Sequence, residues 1–139
     1  MHKRLGIMKS KVGLFLLMLF FAACTDEETL PEGDSRLLYT GDWLVNEQSK
    51  LNGNSAYPST ISSIGENDSI SIGNFYGLGN SINCVAIVVG NSITIPFQDV
   101  DNGILVTGSG LRNTNGSFSI TYYTNDSGSR DTVTATYKR

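Results

Sequence analysis

Residues 81–98, SINCVAIVVGNSITIPFQ, decide the fold. Ile82, Cys84, Ala86 and Val88 recur at every second position, as do Ile93, Ile95 and Phe97, and that period of two belongs to strands rather than helices. Between the two runs stands Gly90-Asn91, a pair suited to the positive φ angles of a two-residue hairpin. The stretch therefore reads as two antiparallel strands, 81–89 and 92–98, joined by a tight turn. The second half of the first strand is apolar on both faces, which suggests a central or interface position. Pro96 lacks a ladder donor, so its strand is expected to lie at an edge or to end there.

Working outward, the same rhythm fills the rest of the chain. Further strands are predicted at 43–47, 59–64, 69–76, 104–110, 117–124 and 131–139, separated by turns rich in Gly, Asn and Asp. No stretch after residue 38 carries the 3.6-residue apolar period of a helix. About eight short strands in meander order make an all-β protein, a small antiparallel barrel or, with the same alternation, a two-sheet sandwich. The expected core collects Trp43 and Val45; Ile70 and Ile72; the two runs already named; Ile104 and Val106; Phe118, Ile120 and Tyr122; and Val133, Ala135 and Tyr137. An eight-stranded barrel is just wide enough to be filled by its own side chains or to hold one small ligand. With Phe, Ile and Val this frequent, a mostly filled interior is expected.

Gly41-Asp42-Trp43 opens the first strand and Lys138-Arg139 closes the last. The pairing resembles the calycins, the lipocalin-like barrels, in which a Gly-x-Trp on the first strand packs beneath an Arg or Lys from the last. That resemblance implies that Arg139 covers the Trp43 indole at the closed end, a cation–π contact of about 1 kcal/mol. It covers only the two ends of the domain, and the folded part is shorter than a typical lipocalin. In NFYGLGN, residues 74–80, Phe75, Tyr76 and Leu78 flank a glycine-hinged loop. Aromatics there suit sugar stacking or protein contact, or else fold back to plug a barrel end. Asp99, Asp101 and Asn102 in DVDNG supply oxygens, but the spacing of a calcium loop is missing and Asp-Asn-Gly is ordinary turn chemistry. No metal site is expected.

The N-terminus has a different character. Lys3, Arg4, Lys9 and Lys11 precede Val12 to Ala23, twelve residues without a charge, which is the layout of a secretory signal starting at Met1 or Met8. The run is shorter than the ~20 residues that a spanning helix needs. Phe21-Ala22-Ala23-Cys24 resembles the lipobox of bacterial lipoproteins, which implies lipidation of Cys24 and membrane attachment through that lipid. Asp26, Glu27 and Glu28 resemble the export signal with which Bacteroidetes send lipoproteins to the outer face of the outer membrane; a solvated tether would carry the same charges. ITIPFQ, GILVTGSG and ITYYT also have the cadence of late strands in small Bacteroidetes lipoproteins of unknown function. The expected organisation is a signal peptide over 1–23, an acidic flexible tether over 24–37 and one β-barrel domain over 38–139.

Loss of the leader removes four of ten basic residues and none of the 13 acidic ones, so the mature charge is 6 − 13 = −7. Such a balance argues against nucleic acid as partner. The only histidine, His2, lies in the leader, which excludes histidine-dependent triads and metal sites from the mature chain. Cys84 stands among apolar residues as a small buried hydrophobe rather than a nucleophile. The expectation is a non-catalytic, lipid-anchored outer-membrane lipoprotein without cofactor. Its barrel would bind a small ligand or glycan or, alternatively, dock as an accessory subunit onto a larger assembly.

Overall fold

The computed structural model describes residues 33–139. Cys24, Asp26, Glu27 and Glu28, with the leader and most of the expected tether, lie outside the described residues. Eight strands follow in sequence: β1 (Gly41–Ser49), β2 (Gly53–Ser63), β3 (Ser69–Gly73), β4 (Asn83–Val89), β5 (Ser92–Asp101), β6 (Ile104–Arg112), β7 (Phe118–Asp126) and β8 (Ser129–Lys138). Each pairs antiparallel with the next, and β1 returns to pair with β8, Val45 facing Tyr137. The sheet is a closed barrel, not a sandwich.

Alternation sends apolar side chains inward and Ser, Thr and Asn outward, so the lumen is filled. Its buried cluster contains Trp43, Val45, Ile70, Ile72, Cys84, Ala86, Val88, Ile93, Ile95, Val106, Phe118, Ile120, Tyr122, Val133, Ala135 and Tyr137, together with Tyr39, Ile61 and Phe75. This polarity is opposite to that of a transmembrane barrel, whose outer wall is the apolar one. Ile82 and Ile104 are only half-buried.

Phe97 departs from the expected core: it is 71% exposed. The cause is a bulge. Ile95 faces Gly108 and Gln98 faces Val106, so three steps along β5 match two along β6. One extra residue reverses the parity of everything after it. Phe97 turns to solvent and Val100 packs against the core instead. Pro96 sits inside the bulge, where no ladder donor is required, and not on an edge, because a closed barrel has none. The bulge also interrupts pairing with β4, which stops after Ile87–Val89 against Ser92–Thr94. Gln98 fills the gap. Its side-chain amide accepts from Val85 N–H at 2.9 Å and donates to Val85 C=O at 2.8 Å, standing in for a ladder residue.

Two other boundaries differ from expectation. The strand expected over 69–76 ends at Gly73, because Asn74 takes a left-handed φ of 48° and starts a 3-10 turn at Phe75–Gly77. Meanwhile β2 begins six residues earlier than its apolar pattern, at Gly53. Ahead of β1, a 3-10 turn at Ser35–Leu38 is fastened by an ion pair between Asp34 and Arg36 at 2.8 Å. Arg36 also donates to the Gly65 carbonyl, and the Ser35 hydroxyl accepts from Gly90 N–H.

Candidate functional site

One end of the barrel is built around Trp43. Its indole N–H donates to the Tyr39 carbonyl at 2.7 Å, and its ring meets Phe118 edge-on at 4.8 Å between centroids. Phe118 in turn stacks on Tyr137 at 4.4 Å. The Arg139 guanidinium lies 3.9 Å over the Trp43 ring and donates to the Thr40 carbonyl at 2.6 Å. Gly41 supports the turn into this lid, because its φ of +117° suits glycine. The structure thus brings Trp43 and Arg139 together. Beside this lid opens a cleft of about 460 Å³, lined by Arg112, Lys138 and Arg139 and bordered by Leu37, Leu38 and Trp43.

The opposite end is plugged by the 74–80 loop. Phe75 is fully buried and lies against Tyr122 at 4.7 Å. Tyr76, half-buried, points its hydroxyl into the barrel end, where it donates to Asp131 at 2.6 Å and accepts from the Asn52 amide at 2.8 Å. Leu78 alone of the three loop residues is exposed, at 38%. Asn74 holds the loop, donating to the Pro58 carbonyl and accepting from Gly79 N–H, each at 2.8 Å. Its two bonds keep the left-handed Asn74 and Tyr76 in place.

Beneath this plug lies a polar cluster that the sequence reading missed. Glu47, 4% exposed, accepts from Tyr122 at 2.6 Å and also from Tyr57. Burial pushes its carboxyl above the ordinary range, against the two tyrosine bonds that pull it down. Asp131 accepts from the Ser49 hydroxyl, from Tyr76 and from Leu51 N–H. Burial opposes its charge, yet those bonds outweigh it and hold the carboxyl below the usual value. Burial likewise raises the Tyr57 and Tyr122 phenols, so both are neutral donors. The missed signal was parity: Glu47 and Ser49 continue the inward series of Trp43 and Val45, and Asp131 precedes Val133 by two.

No protein family, curated protein or solved structure matches the chain.

The remaining residues of chemical interest have structural occupations. Burial pushes the Cys84 thiol up to about 12, which keeps it protonated and unreactive at neutral pH. Asp99 accepts from Gly103 N–H with both oxygens, at 3.1 and 3.0 Å, and Asn102 takes the left-handed turn position while bonding Asp101. Those three side chains serve the β5–β6 turn. On the outer wall, a groove of about 400 Å³ runs beside Phe97 and Tyr123, with Leu105 on its floor and Thr107, Asn125 and Arg130 supplying polar groups. Tyr123 is 54% exposed, so two aromatic rings line a surface groove on a protein whose lumen is full.

Proposed function

We propose that this chain is a non-catalytic binding module, tethered by lipid at Cys24 to the outer membrane, that takes its ligand on its outer wall and not inside its barrel. The Phe97–Tyr123 groove carries this reading. An exposed aromatic ring offers an apolar face to the C–H side of a sugar, while Thr107, Asn125 and Arg130 can hydrogen-bond hydroxyls. A neutral oligosaccharide is the ligand class that uses both. The lack of histidine in the mature chain, the buried Cys84 thiol and the internal commitment of Glu47 and Asp131 support a non-catalytic role. The lipobox-like Phe21–Cys24 and the acids at 26–28 support the anchor and export to the cell surface.

The test is saturation-transfer NMR of the full-length protein with cello-, xylo-, malto- and chito-oligosaccharides. At least one series is expected to bind, with Phe97→Ala weakening it about ten-fold, the loss of one stacking contact plus its buried area. No transfer from any series, or unchanged binding in Phe97→Ala, would sink the glycan reading.

A second reading, docking as an accessory subunit, is favoured by the outer face of β4. Val85, Ile87 and Val89 form an apolar row there, exposed at 38, 42 and 65%. Such a row suits a protein surface. Ile87→Lys is expected to abolish co-purification of a partner without changing oligosaccharide binding, which separates the two readings.

A further inference from the structure

The chain is acidic, yet its cations are not evenly spread. The described residues hold six, Arg36, Lys50, Arg112, Arg130, Lys138 and Arg139, against nine acids. Arg112, Lys138 and Arg139 line one cleft at the Trp43 end, and among the described residues no Asp or Glu side chain lines it with them. The one ion pair among the described residues joins Arg36 to Asp34, so none of the three cations pairs with a described Asp or Glu. Like charges gathered in one cleft repel one another, and an arrangement of this kind is stabilised by an anion between them. The Arg112 side chain is held in place, with its Nε shielded from solvent, which leaves its terminal amino groups as the donors a ligand can reach.

We infer that this cleft is a binding site for a phosphate monoester, with Arg112 and Lys138 as its principal anchors and Arg139 as a third donor. Three cations around one opening suit a dianion better than a single carboxylate, and the fork of Arg112 matches two phosphate oxygens. Arg139 is held by Trp43 and Thr40 but spends only one of its N–H groups on that carbonyl, so it is both fixed and still able to donate. At about 460 Å³ the cleft exceeds a bare phosphate, and Leu37, Leu38 and Trp43 form an apolar border for the group the phosphate is attached to. The ester can belong to a soluble metabolite or to a lipid headgroup. The chemistry recognised is the same.

Both sources are tested on the full-length protein in a phosphate-free neutral detergent. Calorimetric titration with glycerol 3-phosphate reads the soluble ester; flotation with phosphatidylcholine vesicles, with and without phosphatidic acid, reads the lipid form. Saturable binding of the soluble ester, or flotation that increases only when phosphatidic acid is present, is the expected result. The Arg112→Gln/Lys138→Gln double variant is expected to weaken it about ten-fold or more, as loss of charge-assisted bonds does, and added salt should weaken it too. Lys138→Gln alone changes an exposed side chain, so a several-fold loss in that variant, with an unchanged melting curve, separates loss of binding from loss of fold. Binding of neither form, or binding untouched by either variant, overturns the inference.

Discussion

At the scale of single residues, Glu47 is the group whose chemistry and position conflict most. A carboxylate that has lost its water must be compensated by its neighbours, and here two tyrosines offset only part of that cost. Its folded pKa stands above the unfolded value of 4.5, so the native state holds the proton more tightly than the unfolded chain does. The stability this contributes is complete below the unfolded pKa and is lost as pH rises through the folded one, by about 1.4 kcal/mol for each unit of elevation. Asp131 runs the other way. Its pKa is depressed below 3.8, so its stabilisation is present above that value and disappears as pH falls through the folded pKa. Glu47→Gln keeps the shape without the titration. Urea unfolding from pH 4 to 8 should show the wild type losing stability relative to the variant as pH rises; two parallel profiles would refute the assignment.

At the scale of elements, β6 shows how missing side chains shape a barrel. Gly108 and Gly110 take inward positions of β6, where large rings of β7 need the space. A Cβ on Gly110 would come within 2.0 Å of the Ser119 carbonyl oxygen, and one on Gly108 within 2.5 Å of the Tyr122 Cβ. The two strands can approach only where β6 is bare, and that approach lets Phe118 and Tyr122 enter the core. Gly110→Ala is therefore expected to cost about 3 kcal/mol, at the upper end for overpacking, measured as a lower urea midpoint with little change in slope. A cost below about 0.5 kcal/mol would mean that β6 yields easily. Much of this level was legible in the sequence, because burial on one face forces a period of two, and Gly90-Asn91 set the register of the first hairpin. The β5 bulge was not legible. A single inserted residue leaves no compositional mark, so Phe97 was read on the wrong face and the outer groove went unseen with it. The first half of β2, Gly53–Pro58, was silent for a related reason: apart from Tyr57, which packs on the core and bonds Glu47, its residues are exposed and lack an inward apolar series, and backbone pairing to β1 places them.

At the scale of the whole molecule, the Trp43–Arg139 lid was readable because its two partners stand at the ends of the domain, and a meander that closes must bring those ends together. The basic cleft was not, since Arg112 lies 26 positions before Lys138 and the two share a cleft only because β6, β7 and β8 pair side by side, Arg112 facing Phe118 and Phe118 facing Tyr137. Closure also fixes which side chains face outward. The outer wall carries Asp42, Asn46 and Gln48 on β1 and Arg130, Thr132, Thr134 and Thr136 on β8, polar positions that a bilayer core would penalise on these two strands. These two strands do not suit a bilayer core, and the proposed attachment rests on the lipid at Cys24. The 3-10 turn nearest that cysteine in sequence lies at the Trp43 end, where Leu37 and Leu38 border the cleft. Expressed with its leader in an outer-membrane host, Cys24→Ala is expected to move from the membrane to the soluble fraction, while thermal melting of the barrel stays within about 0.5 kcal/mol of the wild type, as for a change outside the packed core. Membrane partitioning that survives the substitution would place attachment on the barrel wall or the uncleaved leader, and would remove the lipid from the proposed function.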